Sequence, residues 1–158
     1  MKMNQLSVFL ENRPGRLSHP CKALADAGIN MMTLCLADSE RFGILRLVVK
    51  EWERAKVVLE QAGCVVRVDE VLAIEIPDRP GGMQSVLAAL EPKAINIEYM
   101  YAFTLKRGGN AVMIVRFGDV DRAVGVLQGS GIRVLDPVLF LSGGSGFGVR
   151  GAGDGTKR

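Results

Sequence analysis

Asn12-Arg13-Pro14-Gly15 and, 66 residues later, Asp78-Arg79-Pro80-Gly81 are the stretches on which the reading turns. Each follows a short apolar run, Leu6–Leu10 or Leu72–Ile76. Each precedes a segment with helical spacing, Leu17–Ala27 or Met83–Glu91. Proline fixes its own φ and drives the arginine before it into an extended shape. Glycine then turns the chain with no Cβ in the way. The pattern predicts a stiff strand-to-helix corner, used twice. Free amides at such a corner suit a carboxylate or phosphate; the plainer alternative is a tight turn with no ligand.

The repeat extends beyond the corners. The same offset of 66 aligns Gly28-Ile29-Asn30 with Ala94-Ile95-Asn96, and an offset of 68 aligns Glu53-Arg54-Ala55 with Asp121-Arg122-Ala123 and Gly63 with Gly131. Small loop insertions account for the drift, so one unit has been duplicated. In the first unit, strands are predicted at Leu6–Glu11, Asn30–Asp38, Gly43–Val49 and Cys64–Val68. Helices are predicted at Leu17–Ala27, with Leu17, Cys21, Leu24 and Ala25 inward, and at Trp52–Ala62. In the second unit, strands are predicted at Leu72–Ile76, Asn96–Leu105, Asn110–Phe117 and Ile132–Leu141, and helices at Met83–Glu91 and Val120–Gly129.

Each unit thus reads strand-helix-strand-strand-helix-strand. That is the ferredoxin-like α+β arrangement, a four-stranded antiparallel sheet with helices on one face. Two such sheets leave open edges, so they are expected to join side by side within the chain. The expected divisions are residues 1–70, 71–141 and a flexible tail, 142–158, in which seven of seventeen residues are glycine. Gly146-Phe147-Gly148-Val149-Arg150-Gly151 fits a dinucleotide-binding pattern, but no helix follows to hold a pyrophosphate.

Composition excludes several functions. The chain is 48% hydrophobic and 23% charged with net charge +3, which builds a core and argues against a nucleic-acid partner. The strands that would stack RNA bases, Gly43–Val49 and Ala111–Val115, carry no aromatic ring. Cys21, Cys35 and Cys64 are too widely spaced for a metal or redox pair and read as reduced thiols of a cytoplasmic protein. There is no apolar run long enough to span a membrane. The single histidine, His19, has no nucleophile or acid repeated beside it, and Glu98 lies on the opposite strand face from Tyr99 and Tyr101. No catalytic residue, metal or cofactor is expected.

Glu11-Asn12-Arg13-Pro14-Gly15-Arg16-Leu17 followed by Ala27-Gly28-Ile29-Asn30 resembles an ACT domain, of the kind that ends phosphoglycerate dehydrogenase. Asp78-Arg79-Pro80-Gly81-Gly82-Met83 with Ala94-Ile95-Asn96 resembles a second. The resemblance covers Leu6 to about Leu141. It implies a stand-alone, non-enzymatic tandem protein that senses a small ligand, chiefly a free amino acid, at interfaces between ACT units. By position it implies ligand contacts at Asn12 and Asp78, and at Asn30 and Asn96 donated by a neighbouring unit. Leu10 and Ile76 stand where the dehydrogenase type has histidine, Asp78 replaces asparagine, and Lys93-Ala94 replaces the usual Ala-Gly.

The chemistry of the residues agrees. Corner amides and the helix dipole favour the ligand carboxylate. The Asn30, Asn96 or Asp78 side-chain oxygen can accept from the ammonium. Leu17, Met31, Met83 and Ile97 are candidate side-chain walls. Arg13, Arg16, Arg79 and the Pro14-Gly15 and Pro80-Gly81-Gly82 backbones are the further candidate ligand contacts at the corners. For so small a ligand, Kd falls on the order of 10 μM to 1 mM. Expected partners are a second copy of the chain and a separate metabolic enzyme. The competing reading is an interaction module that dimerises or docks on an enzyme subunit without a ligand.

Overall fold

The computed structural model describes residues 1–38, 41–107 and 109–142. The tail expected from residue 142, with its dinucleotide-like pattern, lies outside the described residues beyond Ser142. The elements are β1 (Met3–Glu11), α1 (Ser18–Asp26), β2 (Met31–Asp38), β3 (Phe42–Val49), α2 (Trp52–Gln61), β4 (Val65–Pro77), α3 (Gly82–Leu90), β5 (Ile97–Arg107), β6 (Asn110–Phe117), α4 (Val120–Gly129), β7 (Arg133–Val134) and α5 (Pro137–Ser142). A 3-10 turn, Glu91–Lys93, follows α3.

The strands form one antiparallel sheet in the order β2-β3-β1-β4-β6-β5, with β7 also paired to β4. The two halves join side by side in one sheet, as expected, but with seven strands and not two complete sets of four. The strands predicted at Cys64–Val68 and Leu72–Ile76 are one strand. Its first part pairs with β1, Val65 opposite Phe9 through Val71 opposite Met3, and its second with β6, Leu72 opposite Val115 through Pro77 opposite Asn110. The boundary expected between residues 70 and 71 falls inside β4. The chain stays extended there because its backbone ladder passes from β1 to β6 without a gap, Val71 opposite Met3 and Leu72 opposite Val115. The buried Asp69 carboxylate accepts from Ser7 Oγ at 2.8 Å and pairs with Arg67 Nε at 3.0 Å.

Alternation along β4 puts Val66, Val68, Leu72, Ile74 and Ile76 on one side. The first two join the core under α1 and α2, with Leu6, Val8, Leu24, Leu45, Leu47, Ala55 and Leu59. The last three join the core under α3 and α4, with Val86, Leu90, Phe117, Ala123 and Leu127. These four helices therefore share the outer face of the sheet. On α1 the inward residues are Pro20 and Leu24, whereas Leu17 and Ala25 are exposed. The helix begins one residue after Leu17, so the buried stripe runs through residues four apart.

The inner face closes on itself. Tyr99 and Tyr101 of edge strand β5 meet Gln5 of β1, although β4 and β6 lie between those strands in the sheet. Only a curled sheet brings them together. Met3, Val48, Val71, Ala73, Val112, Ile114, Leu135 and Phe140 pack inside the curl.

The strand predicted at Ile132–Leu141 shortens to β7 and turns into α5. Pro137 has no N–H for the ladder, and the Asp136 carboxylate accepts the Val138 amide at 2.8 Å, starting a helix. Phe140 on that helix plugs the inner core at 8% exposure.

Candidate functional site

The two corners fold alike, bond for bond. In the first, Asn12 N–H donates to the Arg41 carbonyl (3.0 Å), Arg13 N–H to Glu11 (2.9 Å) and Arg16 N–H to Arg13 (3.2 Å). In the second, Asp78 N–H donates to Gly109 (3.0 Å), Arg79 N–H to Pro77 (2.9 Å) and Gly82 N–H to Arg79 (2.9 Å). Gly15 and Gly81 take the left-handed φ of +82° and +86° that the turn requires. Three amides of each corner are thus committed to the protein's own carbonyls. What remains for an anion is the first turn of α1 and of α3.

β4 separates the corners. Its first residue, Val65, pairs with Phe9 near the end of β1, and its last, Pro77, leads directly into Asp78. Thirteen residues at about 3.3 Å each put the corners about 40 Å apart along the strand. Asn30 precedes Met31, which pairs with Val49, whereas the first corner lies at the opposite end of β3, where Glu11 pairs with Phe42. Asn96 precedes Ile97, which pairs with Phe117, whereas the second corner lies beside Asn110. Each asparagine is therefore remote from the corner of its own half.

Two cavities lie near these residues. A crevice of about 190 Å³ at the first corner is lined by Phe9, Leu10, Glu11, Arg16, His19, Gly63 and Cys64. Arg16 pairs with Glu11 at 3.0 Å, and His19 Nε2 lies 2.7 Å from the Ala62 carbonyl oxygen, so the wall is already knitted together. Burial pushes the Cys64 thiol pKa up. The larger cavity is a groove of about 610 Å³ between α3 and the start of β5, lined by Gln84, Leu87, Leu90, Glu91, Ala94, Ile95, Asn96 and Ile97. Neither cavity holds both a corner and an asparagine.

Of the sequence-predicted ligand residues, Asn96 and Ile97 line the groove and Arg16 the crevice. Asn12, Arg13, Pro14, Gly15 and Leu17 form the first corner, and Asp78, Arg79, Pro80, Gly81, Gly82 and Met83 the second. Asn30 and Met31 stand at the start of edge strand β2, where Met31 packs against the core under α1 and α2. Gln84, Leu87, Leu90 and Glu91 were not anticipated as ligand residues. Their signal was Pro92, which ends a helical pattern early.

That proline builds the groove. α3 stops at Leu90, the 3-10 turn Glu91–Lys93 follows, and Ala94 swings to φ 51°, ψ 40°. Gly28 occupies the matching place in the first half at φ +68°. A left-handed alanine carries strain of about 1 kcal/mol. Ala94→Gly is expected to raise stability by about 0.5–1 kcal/mol, read as a higher urea midpoint at unchanged slope.

The fold, its doubled corners and the single sheet through β4 coincide with a known family: ACT domain pair matches residues 1–136. The chain belongs to that family. This ACT pair is similar to protein BT0572 from Bacteroides thetaiotaomicron, at 33% identity and TM-score 0.82 over 89% of this chain and 96% of that one. It is similar in fold to the regulatory subunit of aspartate kinase from Thermus thermophilus (ligand-free form), at 16% identity and TM-score 0.57 over 81% and 89% of the two chains. The Thermus flavus subunit gives 17% identity and TM-score 0.60 over 81% and 90%. A search of curated proteins found no match. Among the described residues, no helix of the ACT pair is long and apolar enough to cross a membrane.

Proposed function

We propose that this ACT pair is a non-enzymatic cytoplasmic sensor of a free L-amino acid, acting as a homodimer. The observation that carries the reading is the groove of about 610 Å³ around Asn96, which is of ligand size. Each asparagine is remote from its own corner, so a proline-glycine corner from a second copy would complete the site. Both second strands of the repeat, β2 and β5, are sheet edges, with Leu34, Leu36 and Met100 exposed along them. Edges of this kind pair with another chain. A ligand bridging two copies would favour one mutual orientation, which a regulated enzyme reads.

Calorimetry against the twenty L-amino acids tests the proposal. At least one is expected to bind with Kd on the order of 10 μM to 1 mM. No heat from any of them at several times the upper limit would overturn it.

One observation favours the second reading, a docking module without a ligand. Phe9, Phe42 and Val65 are exposed at 38%, 61% and 66% on the inner face at the first corner's end of the sheet. The places matched to them in the second half are Glu75, Asn110 and Arg133. There Glu75 and Arg133 form an ion pair at 3.4 Å. An assembly state indifferent to every amino acid, and lost on Phe42→Asp, would support docking through that apolar face.

A further inference from the structure

We propose that the amino acid taken by the α3–β5 groove has an uncharged, apolar side chain of leucine or methionine size, with Glu91 receiving its ammonium. This rests on the sensor reading above and names its ligand class. The groove's charge pattern carries the inference. Its lining contains one carboxylate, Glu91, two neutral amides, Gln84 and Asn96, and no cation. Lys93 shares the 3-10 turn with Glu91 but is not among the lining residues.

A carboxylate without a neighbouring cation favours an ammonium and repels a second anion. The Gln84 and Asn96 amides can donate to the ligand carboxylate beside the corner amides that a second copy would bring. The other walls are Leu87, Leu90, Ile95 and Ile97. An aspartate or glutamate side chain laid against these four would lose water there and meet no cation among the groove's own lining residues. A side chain of four or five heavy atoms would cover them.

The two halves differ at this point. The first half passes from α1 through Gly28 to β2 without a 3-10 turn, and the place matched to Glu91 is held by Ala25, which has no carboxylate. The second half carries Glu91 on that turn and holds Ala94 in a left-handed conformation beside it. The groove in the second half is therefore the amino-acid seat.

The test uses the full chain and calorimetry with L-leucine, L-methionine, L-aspartate, L-glutamate and L-leucinamide, repeated on Glu91→Gln and Leu87→Asp. Glu91 is exposed and Leu87 partly so, and both variants are expected to fold. L-Leucine or L-methionine should bind at least tenfold more tightly than either acidic amino acid. Leucinamide should bind more weakly than leucine. Glu91→Gln should cost about tenfold or more in affinity for leucine, and Leu87→Asp should remove the preference for apolar side chains.

Acidic amino acids binding as well as leucine would overturn the inference. So would unchanged leucine affinity in both variants. Either result would leave the sensor reading intact, because an amino acid would still bind. Absence of binding by all twenty amino acids would instead remove the sensor reading itself.

Discussion

Gly82→Ala is expected to destabilise the protein by about 3 kcal/mol. A Cβ at this position would lie 2.0 Å from the Pro77 carbonyl oxygen. That atom is backbone at the end of a central strand, and it already accepts the Arg79 amide. Either the second corner opens or α3 shifts off the core residues Val86 and Leu90. The φ of Gly82 lies outside the left-handed region, so the cost is a close approach and not a backbone preference. Arg16 holds the matching place in the first half, where its exposed side chain makes only a surface ion pair with Glu11, so Arg16→Ala should change stability by less than about 1 kcal/mol. Urea unfolding of the two variants checks both values. A Gly82→Ala protein of wild-type midpoint would show that the close approach does not constrain the corner.

Gln5→Leu is expected to cost about 2–4 kcal/mol. Gln5 is fully buried, and its amide joins the two halves of the curled sheet: Nε2 donates to the Tyr99 hydroxyl at 2.7 Å, and Oε1 accepts from the Tyr101 hydroxyl at 2.9 Å. Nε2 also lies 3.2 Å from Ser7 Oγ, which in turn donates to Asp69. The Arg46 guanidinium sits 4.0 Å from the Tyr99 ring centroid. Burial, with the charge of Tyr99 added, raises the Tyr101 pKa well above the ordinary phenol range. Burial and then Asp69 raise that of Tyr99. Both phenols are therefore protonated at neutral pH, with Tyr101 donating to the Gln5 amide and Tyr99 accepting from it.

Leucine fills the volume of Gln5 but leaves both hydroxyls without their amide partner. Tyr101→Phe alone should cost about 1–2 kcal/mol. The double variant should cost less than the sum of the two by about 1 kcal/mol, since one bond is removed twice. Strict additivity in that cycle would show that the amide and the Tyr101 phenol do not act as one clasp.

The corners were legible because their chemistry is local. Pro-Gly turns, helix stops at Gly28 and Gly63, and apolar spacing within each unit all act over a few residues, and the repeat stated each twice. The groove was legible only in part. Asn96 and Ile97 follow from their place in the repeat, but Gln84, Leu87 and Glu91 become lining residues only because Pro92 stops α3 and the chain detours through Ala94. The inner clasp was not legible. Alternation separates Tyr99 and Tyr101 from Glu98, yet nothing near residue 99 points to residue 5.

By itself, then, the order of residues determined a duplicated α+β unit, its proline-glycine corners and its helix-facing core, since hydrophobic period and turn chemistry act at short range. Only the tertiary structure decided that Val65–Pro77 is one strand, that the sheet curls until Tyr99 and Tyr101 reach Gln5, and that the corners stand at opposite ends of β4. Those outcomes follow from partners far apart in the chain. Val65–Pro77 runs on because its ladder passes from Met3 of β1 to Val115 of β6 without a gap, and the curl is clasped where the Gln5 amide bonds both phenols of β5.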